Sequence, residues 1–175
     1  MTDLALGELL RRMIGALRLD PNVYEEIEAD KSATGQAAFV VVATSLVSGA
    51  ANGVLTGVSS GLAGTFASFI GWAVYAWVAY IVGTRLLPGK DTKADWGELG
   101  RTLGYANTPR FFIVLVLLPG VASLVRAAVG LWVTVATVVA LQAALDISTG
   151  RAIVVAVISA LAQVVIIAFA LSYFG

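Results

Sequence analysis

Five side chains that could bind or orient a polar group sit inside otherwise apolar runs: Asn52, Asn107, Arg126, Gln142 and Gln163. In a low-dielectric setting such residues mark either a solute path or a hydrogen bond between helices. None of them is a nucleophile. Ser45, Ser48, Ser68 or Ser123 could be one only beside a base. The chain has no His and no Cys, so the commonest general base and the thiolate are both missing. Its two Met residues, Met1 and Met13, precede every apolar run. The expectation is therefore no enzyme, no cofactor and no metal site. Outside the apolar runs, Glu25 and Glu26 could form an acidic docking surface. Equally, they could stabilise the start of their own helix through its dipole.

The elements that carry these residues follow from composition. The chain is 59% hydrophobic and 13% charged, against about 25% charged in soluble domains. It reads as an all-α polytopic membrane protein in contact with the lipid bilayer. Net charge is zero, which offers nothing to attract nucleic acid.

Residues 1–36 read as cytoplasmic amphipathic helices. Leu6, Leu9, Leu10, Met13 and Leu17 recur at helical spacing. That face either lies in the membrane interface or packs on the protein's own bundle. Asp20-Pro21 opens a second short helix. Residues 37–175 read as five spans, at about 37–56, 62–87, 102–118, 121–144 and 151–174. Gly53, Gly57 and Gly61 form a GxxxGxxxG string, a spacing that can make a tight helix contact. It straddles Gly57-Val58-Ser59-Ser60-Gly61 and reads as a flexible loop. The aromatics of the second span, Phe66 to Tyr80, suggest helix packing. The apolar run Phe111 to Leu118 is too short to cross alone, so the third span must include Tyr105, Asn107 and Thr108. Pro109 either bends that helix, with Asn107 or Thr108 taking up freed carbonyls, or simply starts it.

A cytoplasmic N-terminus leaves Arg126 as the one basic residue outside, out of eleven Lys+Arg. The inside count includes Arg85, Lys90, Lys93, Arg101 and Arg110 from the polar stretch between the second and third spans. That asymmetry sets the orientation and puts the C-terminus outside. Arg126 then needs an anion: a lipid phosphate, the Gly175 carboxylate, or an acid of another protein.

Leu103-Gly104-Tyr105-Ala106-Asn107-Thr108-Pro109 resembles the start of the third span in the Yip family of membrane proteins. Supporting strings are Leu17-Arg18-Leu19-Asp20-Pro21 with Tyr24-Glu25-Glu26-Ile27, and Ile147-Ser148-Thr149-Gly150-Arg151-Ala152. The resemblance covers nearly the whole chain and implies five transmembrane helices. Eukaryotic members act in vesicle traffic, bind small GTPases and carry a cytoplasmic Asp-Leu-Tyr-Gly-Pro motif. Asp20-Pro21-Asn22-Val23-Tyr24 does not match it, so a small GTPase partner is not expected. The short N-terminal region and Ala/Gly/Val-rich spans are similar to the prokaryotic branch, implying a plasma (inner) membrane location. The expected function is a non-enzymatic scaffold or accessory subunit that associates with other membrane proteins or itself. The alternative is a small transporter or channel using the polar residues in the spans.

Overall fold

The computed structural model describes residues 3–89 and 92–174. Lys90 and Asp91, counted among the cytoplasmic charges, and Gly175, considered as a partner for Arg126, lie outside the described residues.

Among the described residues every element is helical. Helix α1 (Asp3–Leu17) ends where Leu19 turns left-handed at φ 58. The Leu19 and Asp20 amides then donate back to the Ala16 and Gly15 carbonyls, both at 3.1 Å. Asp20 caps α2 (Pro21–Ala29), accepting from the Asn22 amide at 3.0 Å.

Helices α3 (Ala33–Thr56) and α4 (Val58–Ile81) form a hairpin, and only Gly57 lies between them. Its φ of 101 is strained for any side chain, so glycine is required there. The expected loop at 57–61 is thus mostly helix, and the small residues do make a helix contact. A Cβ on Gly61 would lie 2.8 Å from the Gly53 Cα, and one on Gly49 would lie 2.7 Å from the Gly61 carbonyl oxygen. Only glycine lets the two backbones approach this closely. Asn52 crosses the same contact, its Nδ2 donating to the Ser60 carbonyl at 3.0 Å.

α4 continues as a π-helical turn, Val82–Leu86. Of its aromatics, Trp72, Tyr75 and Tyr80 pack inward, whereas Phe66, Phe69 and Trp77 face out. The expected packing role therefore holds for half of them. Helix α5 (Trp96–Tyr105) starts with a reciprocal capping box between Asp95 and Glu98. A turn leads into a 3-10 helix, Thr108–Leu117, then α6 (Ala122–Leu145) and α7 (Thr149–Phe174).

Among the described residues four helices are long and apolar enough to cross a membrane: Ala33–Thr56, Val58–Leu86, Ala122–Leu145 and Thr149–Phe169. Their outward faces remain apolar at Val54, Val58, Leu124, Leu131, Leu161 and Phe169. The segment 102–118 is built differently. Its ten-residue 3-10 helix rises about 2.0 Å per residue, roughly 20 Å in all, against about 30 Å for a bilayer core. It is wedged between α3 and α6. Helices α1 and α2 pack on this bundle, α2 chiefly on α5 and α6.

Candidate functional site

Arg12 is the centre of a clamp on the polar side of the bundle. It is 5% exposed. Its Nε donates to Glu26 Oε1 at 2.9 Å, Nη2 to Asp30 Oδ2 at 2.6 Å and Nη1 to Gln36 Oε1 at 3.2 Å. Tyr105 is buried and donates its hydroxyl to the same Gln36 oxygen at 2.7 Å. Arg11 pairs with both Glu8 and Glu26. Arg11, then Arg12, hold the Glu26 carboxyl below the usual carboxylate range. Asp30 is pulled down to about 2 by the Ser32 hydroxyl, then Arg12 and the Ser32 amide. One guanidinium thus ties α1, α2 and the first turn of α3 to α5.

Glycine 104 makes that approach possible. A Cβ there would meet the Ala37 Cβ at 2.9 Å and the Ala37 carbonyl oxygen at 3.2 Å. Arg101, 4% exposed, donates from Nε to the Ile27 carbonyl at 3.2 Å and from Nη2 to the Glu28 carbonyl. These are acceptors that the end of α2 cannot satisfy itself. Trp132 of α6 donates its Nε1 to the Leu17 carbonyl at 3.0 Å and stacks on Phe112, centroids 5.5 Å apart.

Glu26 is therefore absorbed in the clamp, but Glu25 is not. Glu25 is exposed beside Asp146, and Glu28 lies near Glu98. Burial, then these neighbouring carboxylates, raise the pKa of both Glu25 and Glu28. Gln142 lines the same surface recess as Glu25 and donates to Thr149 Oγ1 at 2.9 Å.

Around Pro109 the freed carbonyls are taken. Thr108 Oγ1 donates to the Tyr105 carbonyl at 2.6 Å, the i−4 acceptor that a continuing α-helix would have lost at Pro109. Asn107 Nδ2 donates to the Leu103 carbonyl at 2.8 Å. Pro109 is buried as the second residue of the 3-10 helix.

Beyond this turn the helices frame a half-open cavity of about 380 Å3, walled in part by Trp72, Tyr75, Asn107, Arg110, Thr137 and Gln163. Gln163 Nε2 donates to the Gly71 carbonyl at 2.6 Å, locking α7 to α4. A second cavity of about 400 Å3 contains Ser48, Ile113, Arg126 and Val129. Ser68, Arg110, Val133 and Thr134 line both. Each volume falls within the roughly 300–1,000 Å3 range of small-molecule sites.

Arg110 was expected with the cytoplasmic charges, but it lies among the helices, facing the same space as Arg126. Its Nε is buried and has no hydrogen-bond partner among the described residues. Such an orphaned donor costs about 1–3 kcal/mol. Hydropathy does not register it, because one Arg at the edge of an apolar run looks like a loop residue. Arg12 and Arg101 look like the solvated faces of amphipathic helices in sequence, because their partners lie 14 to 74 residues away.

The bundle, with its apolar outer faces and most of its charged groups gathered at the α1–α2–α5 end, defines a multi-pass membrane protein. A family model described as Yip1 domain matches residues 14–171, and the chain belongs to that family. None of the curated proteins and none of the solved structures matches it.

Proposed function

We propose that the chain is a non-enzymatic membrane scaffold or accessory subunit of the prokaryotic plasma membrane, crossing five times with its N-terminus in the cytoplasm. The end of α5 and the 3-10 helix together make the third crossing, and the C-terminus is outside. Residues 1–36 form a cytoplasmic platform fixed to the bundle.

The observation that carries this reading is the acidic face on that platform. Glu25 and Glu28 of α2, Glu98 of α5 and Asp146 after α6 come from three separate elements. The Arg101 contacts tie α5 to the end of α2, the Arg12 contacts hold α2 to α1 and α3, and α2 packs against α6. Like charges held together destabilise a fold, which supports a role in binding. The complementary ligand is a basic cytoplasmic segment of another membrane protein. The polar residues of the spans support the same reading over a solute path. Asn107 and Gln163 both spend their amide donors on backbone carbonyls, as packing residues do.

The test is a mild-detergent pull-down of the full chain and of Glu25→Lys/Glu98→Lys. Membrane proteins retained by the wild type and lost by the variant support the platform. An unchanged set of retained proteins refutes it, and liposome flux by the purified chain alone would favour a transporter instead.

A further inference from the structure

Arg110 and Arg126 stand on different helices, yet both face one continuous space within the membrane-embedded part of the fold. No Asp or Glu lines either cavity, and neither arginine forms an ion pair among the described residues. The Arg110 Nε is buried without an acceptor among the described residues. Ser68, on the wall common to both cavities, makes no hydrogen bond among the described residues, nor does Thr137. Each hydroxyl is a donor still to be used. Two guanidinium groups and free hydroxyl donors ask for a multivalent oxyanion, and phosphate is the group such a fork fits best.

The rest of the space is apolar. The larger share of the 380 Å3 cavity wall is carbon, from Ala67, Val133, Ala156, Val157, Ala160 and Ile167. A free aqueous anion gains nothing from those walls. A molecule with an anionic head and a hydrocarbon tail uses both halves of the site, and the bilayer supplies such molecules at the level of the helices.

We propose that the paired cavities bind a membrane lipid with a net-anionic phosphate headgroup. Arg110 and Arg126 take the phosphate, Ser68 donates to it, and an acyl chain lies along α7 past Ala160. This site is independent of the acidic platform and stands or falls separately from it.

The test uses the full chain purified in mild detergent, with bound lipid counted by native mass spectrometry. The probes are phosphatidylglycerol and phosphatidylcholine with the same acyl chains. The site predicts retention of phosphatidylglycerol over phosphatidylcholine by about tenfold, equal to about 1.4 kcal/mol. Arg110→Gln and Arg126→Gln each lower phosphatidylglycerol affinity by a similar factor, and Ala160→Trp lowers it by filling the tail cavity. Arg18→Gln, an exposed cation elsewhere, leaves it unchanged, and millimolar inorganic phosphate does not displace the lipid. Helix content and monodispersity identify any variant that fails to fold. Should Arg110→Gln do so, Arg126→Gln and Ala160→Trp carry the test. Equal retention of the two lipids overturns the proposal, as do unaffected arginine variants. Displacement by inorganic phosphate would assign the site to a free anion, and a co-purifying acidic protein cross-linked at Arg126 in place of lipid would assign it to a partner. Either result rejects the lipid.

Discussion

Replacing Arg12 with Leu removes the one group that ties α1 to α2, α3 and α5 at once. The loss can be worked from its contacts. Arg12 donates to Glu26, Asp30 and Gln36. Hydrogen bonds to charged groups are worth about 1.5–3 kcal/mol when buried. The two carboxylates here are 38% and 33% exposed at the side chain, so water recovers much of their share. Arg11 still holds Glu26, and Ser32 still holds Asp30. About 1 kcal/mol for each of three contacts gives a loss of about 3 kcal/mol, or roughly 6–12 °C in Tm for a chain of this size. Arg12→Lys keeps the charge without the fork and should lose about half as much. The assay is thermal unfolding in mild detergent, followed by hydrogen exchange of the α1 amides. Trp132 emission should shift as well, because its Nε1 is bonded to the Leu17 carbonyl. A Tm within 1 °C of wild type, with α1 exchange unchanged, would refute the clamp.

Gly61→Val should destabilise the α3–α4 hairpin by about 3 kcal/mol through overpacking on Gly53 and Gly49, whereas Gly64→Ala, with 3.4 Å to Asn52 Nδ2, should cost under about 1 kcal/mol; thermal unfolding separates them. Asp146→Gly should raise stability by about 1 kcal/mol, since Asp146 is left-handed at φ 51 and glycine removes that strain together with a carboxylate near Glu25 and Glu28. An acid titration of unfolding should show Asp30 directly. Its folded pKa of about 2 lies below the ordinary value of about 4, so its stabilisation is present above pH 4 and is lost as pH falls from about 4 to 2, and Asp30→Asn should flatten that limb.

Much of the fold is legible from hydropathy. The runs read at 37–56, 121–144 and 151–174 correspond to Ala33–Thr56, Ala122–Leu145 and Thr149–Phe174. Asp20-Pro21 marks the start of α2 because cap chemistry is local. What is not legible depends on distance along the chain. Arg101 serves carbonyls at Ile27 and Glu28, and Tyr105 meets Gln36. Polarity in sequence shows that a partner is needed but not where it is. The Gly53–Gly61 contact is hidden for a related reason: one string serves a loop or a helix crossing equally well, and only the backbone geometry at Gly57 decides. The 3-10 pitch of Thr108–Leu117 leaves no periodic trace in eight apolar residues. Asn107 and Gln163 were singled out as polar residues in apolar runs, and they do share a cavity wall. Arg110, which joins that cavity to the one holding Arg126, was hidden by its place beside a charged stretch.

In the proposed topology the short segment after α5 crosses the membrane, keeping the charged platform on one side. The chain has no Cys, so single cysteines at Ser59, Lys93, Ser123 and Ser148, all exposed, can be labelled in intact cells with an impermeant maleimide. Five crossings lead to labelling of Ser59→Cys and Ser123→Cys from outside, and of Lys93→Cys and Ser148→Cys only after permeabilisation. Labelling of Ser148→Cys from outside with Ser123→Cys protected would show that the segment turns back, contradicting the five-crossing account.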